Sequence, residues 1–216
     1  MPWCRYTGGG EERPPGGKDS DMTLIAAVLN SKGGVGKTTT SIHLATALDR
    51  NYSVEVWDAD PQGSACEWAE VTAEDGRPLP FAVEAVNART LGSRRPDVDV
   101  VVIDTPPGEP ALMTAAARRA DVVIIPTAPA NLDIARVWPT MDALGETPKV
   151  VLLTHADPRT VLYRQAREAL DAEGVAVFDR AIRPTQRIKA QGNSYPRKMF
   201  GYDDVAAELM KLMKDG

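Results

Sequence analysis

Cysteine is almost missing from this chain: Cys4 and Cys66 are the only two in 216 residues, so neither a disulfide framework nor a four-thiolate metal site can be built from it. That economy points to a reducing compartment. Histidine is equally scarce, and His43 and His155 stand at no metal-ligand spacing from each other or from a cysteine, so both read as structural. No run of about 18 apolar residues occurs, and the N-terminal residues lack the apolar stretch of a signal peptide. The expectation is a cytoplasmic protein with no membrane partner. Aromatics make up only 6% of the residues. Trp57, Trp68 and Trp138 read as packing residues between helices and a sheet, and Tyr195 alone is too little for a base-stacking platform.

A net charge of −5 excludes a uniformly basic polyanion binder, but the charge is uneven. Residues 180–198 carry six basic side chains (Arg180, Arg183, Arg187, Lys189, Arg197, Lys198) and no acidic one, so taking those six from −5 leaves the remainder at −11. Any polyanion binding is therefore local, and its strength depends on bringing several such patches together.

What is present is an α/β pattern. Residues 1–21 hold five glycines and three prolines without a period of 2 or 3.6, which reads as a disordered leader, too short for a helix-turn-helix domain. A single domain is expected over 22–216. Probable strands fall at 23–29, 53–57, 81–86, 98–103, 122–125, 149–153 and 175–178, and helical patterns at 37–50, 64–74, 109–119, 131–144, 158–173 and 203–214. Several strands are apolar throughout, as in TLIAAVL and DVVIIP, so both of their faces are covered. The expected fold class is a doubly wound α/β fold, a mostly parallel sheet flanked by helices on both faces, with ligands bound beyond the carboxyl ends of the strands.

The first strand runs into Asn30-Ser31-Lys32-Gly33-Gly34-Val35-Gly36-Lys37-Thr38-Thr39 and then a helix. Strand, glycine loop and helix in this order form the setting of a phosphate-binding P-loop. Its glycines let successive N–H groups converge on phosphate oxygens, and the helix N-terminus adds partial positive charge. Lys37 would reach the β- and γ-phosphates, and the Thr38 hydroxyl would ligate Mg²⁺. The competing reading is an incidental glycine turn, which Gly-Lys-Thr in this setting disfavours. Ser31 replaces the usual first glycine, and Lys32 follows as a second lysine. One lysine suffices for its own nucleotide, so Lys32 is free to neutralise phosphates held by a partner subunit.

Two later strands end in carboxylates. Asp104 after an apolar strand reads as a magnesium ligand, and Asp60, in a turn fixed by Pro61 and Gly63, as the residue that orients the attacking water. Asp58 and Gln62 are candidates to support it. Aspartates also cap helices and open turns, so each motif gains weight from the loop beside it.

KGGVGKTTTSIHLATAL, VWDADPQGS and VVVIDTPPG resemble the deviant Walker A, switch I and Walker B motifs of ParA/MinD/Soj ATPases, and DVVIIPTAPANLDIARV resembles the small plasmid-partition members similar to ParF. The resemblance implies an ATP- and Mg²⁺-dependent homodimer in which Lys32 contacts the partner's nucleotide. By the same resemblance, Gly33 to Thr39 would bind ATP, Thr38 and Asp104 would hold the metal, and Lys32, Lys37 and Asp60 would take part in hydrolysis. It implies nonspecific DNA binding by the dimer, nucleoid association, and a ParB-like or ribbon-helix-helix partner that binds a centromere. Arg183, Arg187, Lys189, Arg197 and Lys198 are the candidates for DNA; the less favoured alternative is that 182–186 form the loop lining an adenine pocket and the remaining charges are solvated.

The tail DDVAAELMKLMKDG carries four acids against two lysines, which opposes a MinD-like membrane helix, and the cysteines do not suit the nitrogenase iron-protein branch. The primary expectation is partition of a plasmid or chromosome. A metabolic ligase similar to dethiobiotin synthetase is disfavoured by the paired lysines, and an ATPase that positions a protein cargo would use the same switch.

Overall fold

The computed structural model describes residues 5–6, 23–185, 188 and 193–215. In chain order the elements are β1 (Arg5–Tyr6), β2 (Leu24–Val28), α1 (Lys37–Leu48), β3 (Val54–Asp58), α2 (Ser64–Glu74), β4 (Ala82–Ala85), α3 (Ala88–Ser93) and β5 (Val100–Asp104). They continue with α4 (Pro110–Arg119), β6 (Val122–Thr127), α5 (Asn131–Ala135), α6 (Val137–Ala143), β7 (Lys149–Leu153), α7 (Val161–Ala172) and α8 (Tyr202–Asp215).

One sheet has the order β1-β4-β3-β5-β2-β6-β7. Every neighbouring pair is parallel except β1 on β4. Successive side chains of a strand point to opposite faces, and here both faces are apolar. Ala26 and Val28 join Val54, Val56, Val100 and Val102 under α1, α2 and α8, whereas Ile25, Ala27 and Leu29 join Trp57, Val101 and Ile103 under α4 and α7. Burying each Val or Ile contributes about 1.5–3 kcal/mol, which explains why the central strands carry no polar face. The expected doubly wound α/β fold is the one observed. After β2 the chain winds outward through β3 and β4, then returns through β5 to the other flank at β6, so β2 lies at the switch point where such sheets bind ligands.

Three expectations need correction. The helix expected over 131–144 is two helices meeting at Arg136. Pro139 has no N–H to donate to a carbonyl four residues back, so the chain restarts and places Pro139 in the first turn of α6. The strand expected at 175–178 makes only an isolated bridge, Val151 with Val177, because this run, fully buried only at Phe178, meets β7 at single points and gives way to the exposed Asp179 and Arg180. Helix α7 begins at Val161 rather than 158 because Thr160 caps it, accepting from the Tyr163 amide. Helix α3 has no counterpart in the sequence reading. Its capping box joins Asn87, which accepts from the Arg89 and Thr90 amides, to Thr90, which accepts from the Asn87 amide. Of the expected leader, the described pair Arg5–Tyr6 adds β1 to the sheet edge.

Candidate nucleotide site

The glycine loop is held from three strands. Asn30 Nδ2 donates to Pro126 O at 2.8 Å while its Oδ1 accepts from the Lys32 amide at 2.9 Å. Thr154 Oγ1 donates to Val35 O at 2.9 Å, and Thr105 Oγ1 to Val28 O at 2.8 Å. Gly34 and Gly36 have φ of 76° and 90°, with nothing within 4 Å of a Cβ placed on either. Backbone twist, rather than crowding, demands glycine there. Gly36 is the N-cap of α1 and supplies no side-chain cap, so the first amides of the helix lack an intrahelical acceptor and its positive end faces the loop.

Lys37 is buried, and its Nζ donates to Lys32 O at 3.0 Å. Burial holds its pKa below the usual lysine value, against the charges of Asp104 and Asp60. Asp104 is fully buried and accepts from Thr38 Oγ1 at 2.7 Å and from Ser41 Oγ at 2.9 Å. Burial, aided by the Asp58 charge, pushes its carboxyl up to about 7, opposed by Thr38, Ser41 and Lys37. A threonine hydroxyl touching a carboxylate beside an anion-attracting helix end is a hard oxygen donor set that suits Mg²⁺. Ser41 was missed by sequence reasoning, although it follows Lys37 and Thr38 by four and three residues on the same helical face.

Asp58 is buried at the end of β3 and spends its carboxylate on backbone. Oδ1 accepts from the Asp60 amide at 3.0 Å, and Oδ2 from the Ala65 and Cys66 amides at 2.9 Å each. Burial raises its pKa in spite of those bonds. Asp58 thus fixes the turn that carries Asp60, which in turn accepts from the Gln62 amide at 2.8 Å. Asp60 is half-buried and Gln62 exposed. Lys32 forms an ion pair with Asp133 of α5. Asp133 was not anticipated, since an acid in a helix's first turn is ordinary capping chemistry.

The basic stretch does not stay together in space. Arg187 and Lys189 lie outside the described residues. Arg183 follows the Thr154–Ile182 bridge, near the loop, and its Nη2 is 3.9 Å from Asp157 Oδ1. Arg197 lines a groove of about 600 Å³ with Thr46, Asp49, Arg50, Pro80 and Tyr195, at the far end of α1, some 15 Å from Lys37 by helical rise. Arg197 and Lys198 are exposed, on a segment anchored where Trp68 Nε1 donates to Ser194 O at 2.9 Å. Arg180 pairs with Asp204. His43, buried among Trp68, Phe200 and Tyr202, is structural as expected, and Trp57 and Trp68 are core residues.

Residues 26–195 match the model of the CobQ/CobB/MinD/ParA nucleotide binding domain. Maintenance of carboxysome distribution protein A from Gloeobacter kilaueensis is 41% identical over 189 residues, spanning 82% of this chain and 86% of that protein. The chromosome-partitioning ATPase Soj of Thermus thermophilus is 32% identical over 193 residues, spanning 70% and 78%. Among solved structures, a plasmid partition protein of Borrelia burgdorferi bound to AMPPNP has a TM-score of 0.71 at 16% identity, covering 90% of this chain and 99% of its own. Cobyrinic acid a,c-diamide synthase from Mycobacterium smegmatis, with ADP and magnesium, has a TM-score of 0.67 at 24% identity, covering 89% and 96%. The solved structures share the fold; the domain match and the 41% relative, laid over the loop and carboxylates above, carry the assignment. The chain belongs to the CobQ/CobB/MinD/ParA family of nucleotide-binding domains.

Proposed function

We propose that the protein is a magnesium-dependent ATPase that dimerises on ATP, binds DNA without sequence preference and positions a cargo on it. The observation that carries this reading is the division of labour between two lysines of one loop. Lys37 is buried and turned back onto the Lys32 carbonyl, within reach of its own phosphate site, whereas the Lys32 side chain is 38% exposed at the loop's rim. A cation at the rim serves a phosphate that comes from outside the protomer.

ATP bound with Mg²⁺ supplies the phosphoanhydride bond that is broken. The amides of Gly33 to Thr39 take the phosphate oxygens, Lys37 neutralises the phosphate charge, and Thr38 with Asp104 holds the metal. Asp60, set by Asp58, orients the water that adds to the terminal phosphorus, and ADP and phosphate leave. Lys32 of each copy reaches the other copy's phosphates, so the dimer forms only when nucleotide is present.

The cargo reading follows the relatives. The 41% relative maintains carboxysome distribution, which favours a protein assembly as cargo over the partition expected from the motifs. The 32% identity to a chromosome-partitioning ATPase supports DNA segregation as the second reading. In either case a partner protein bound to the cargo stimulates hydrolysis, ParB-like or ribbon-helix-helix where the cargo is DNA. Arg197 and Lys198 at the far end of α1, Arg183 near the loop, and Arg187 and Lys189, which fall between them in the sequence, supply salt-sensitive phosphate contacts, which dimerisation doubles.

The dimer is tested by sedimentation with MgAMPPNP, where the wild type runs as a dimer and Lys32→Ala as a monomer; a monomeric wild type at every magnesium and nucleotide concentration removes the switch. For DNA, reversing Arg197 and Lys198 to Glu removes four cationic contacts per dimer and flattens the log–log salt dependence of binding by about 3–4. An unchanged slope excludes both residues. Labelled protein in its native cell, with plasmid and protein assemblies each imaged, separates the two cargoes.

A further inference from the structure

Lys32 is tethered at its backbone on both sides, its amide to Asn30 Oδ1 and its carbonyl to Lys37 Nζ. Only its side chain is free to change partners. That side chain, 38% exposed, is paired with Asp133, whose own side chain is only 8% exposed. A carboxylate this deeply buried is costly without a compensating cation, and among the described residues Lys32 is its ion-pair partner.

From this arrangement we propose that Asp133 is a positioning residue: it parks Lys32 inside its own protomer, and joining two copies requires that the lysine be released. The proposal rests on the dimer reading above. Once Lys32 turns to phosphates held by a second copy, Asp133 loses its cation while still buried, a cost that sets a threshold between binding nucleotide and closing the dimer. The element that bears Asp133 is suited to release. Helix α5 spans five residues and ends at Arg136. Its Leu132, next to Asp133, is 79% exposed, and α7, against which α5 packs, exposes Val161 and Leu162 at 57% and 49%. An apolar surface beside the latch gives a second copy something to cover while the ion pair opens.

The test uses the full chain and the isosteric variant Asp133→Asn. With MgAMPPNP, sedimentation velocity across a protein dilution series should show the variant dimerising at a concentration about two- to thirtyfold lower than the wild type, the range for two partly exposed ion pairs opened per dimer. In nucleotide-free protein, acetylation of Lys32 by an amine-reactive ester, followed by mass spectrometry, should be several-fold faster in the variant. A merely structural role for Asp133 would lower the melting temperature and leave both readouts unmoved. Lys32→Ala should lower the melting temperature by leaving the carboxylate alone, and adding Asp133→Asn should restore it. Unchanged or weaker dimerisation of Asp133→Asn, or unchanged acetylation, overturns the proposal while the dimer reading stands. If the wild type itself stays monomeric, the dimer reading fails, and this proposal fails with it.

Discussion

Two helices begin side by side at the carboxyl edge of this sheet, and they are built alike until their first amides. Helix α1 starts from Gly36 at φ 90° and ψ 31°, and α2 from Gly63 at φ 70° and ψ 31°; neither glycine supplies a side-chain cap. At α2 the vacancy is filled from within, because the Asp58 carboxylate reaches from the end of β3 to the Ala65 and Cys66 amides. At α1 the neighbouring strand-end carboxylate, Asp104, is engaged by the side chains of Thr38 and Ser41 instead, and the amides of the first turn remain available to an anion from outside. The same local geometry therefore yields a fixed joint in one place and a binding site in the other. What decides between them is whether a carboxylate of the chain is aimed at the backbone or at a hydroxyl.

The strongest way to break that comparison is to remove the cation at the open helix start. Lys37→Ala should reduce ATP hydrolysis by about 10²–10³-fold, measured as phosphate release, with loss of nucleotide binding by calorimetry. Its melting temperature should not fall. Burial already disfavours the charged lysine, and Asp104, poised to about 7, takes up a proton when the cation is lost. A large drop in stability would mean that Lys37 is a structural cation and that the two helix starts differ less than their chemistry implies. The closed start should respond the other way. Asp58→Ala leaves three amides (Asp60, Ala65, Cys66) without their acceptor and should cost about 2–4 kcal/mol. For a domain of this size that is a fall of roughly 5–15 °C in melting temperature by calorimetry. Asp58→Asn, whose oxygen can still accept, should recover part of it.

Much of this was legible in the sequence because it rests on local rules. Continuous apolar strands dictated burial on both faces, and glycines beside Lys37 and Thr38 located the open helix start. Asp104 was readable as a strand-end carboxylate. The rest depends on where side chains meet across long stretches of chain. That Asp58 would cap α2 rather than face the phosphates is a matter of which way one carboxylate turns. Lys32 and Asp133 are separated by 101 residues, and no spacing rule joins them. The basic stretch shows the converse. Six cations adjacent in sequence look like one patch, yet Arg183 lies near the glycine loop while Arg197 lies at the far end of α1. Pro139, by contrast, is a local signal for the break between α5 and α6, and the single helix expected over 131–144 passes over it.

The smallest expected effect gives the sharpest contrast, because it changes the same residue type in the same conformation at both helix starts. Gly36→Ala and Gly63→Ala each place a Cβ on a backbone with positive φ, at 90° and 70°, where it meets nothing closer than the 4.0 Å contact of Gly63 with Cys66 Cβ. Steric crowding is therefore equal and slight, and each should cost about 1–2 kcal/mol of stability through backbone strain alone. Their functional consequences should diverge. Gly36→Ala tilts the amides offered to phosphate and should weaken nucleotide binding about tenfold or more, whereas Gly63→Ala should leave nucleotide affinity within about twofold, because Asp58 holds α2 to the sheet by side-chain bonds that do not run through Gly63. Equal losses of affinity in the two variants, at equal losses of stability, would show that the glycines serve only the fold and that openness at α1 is not what distinguishes the two starts.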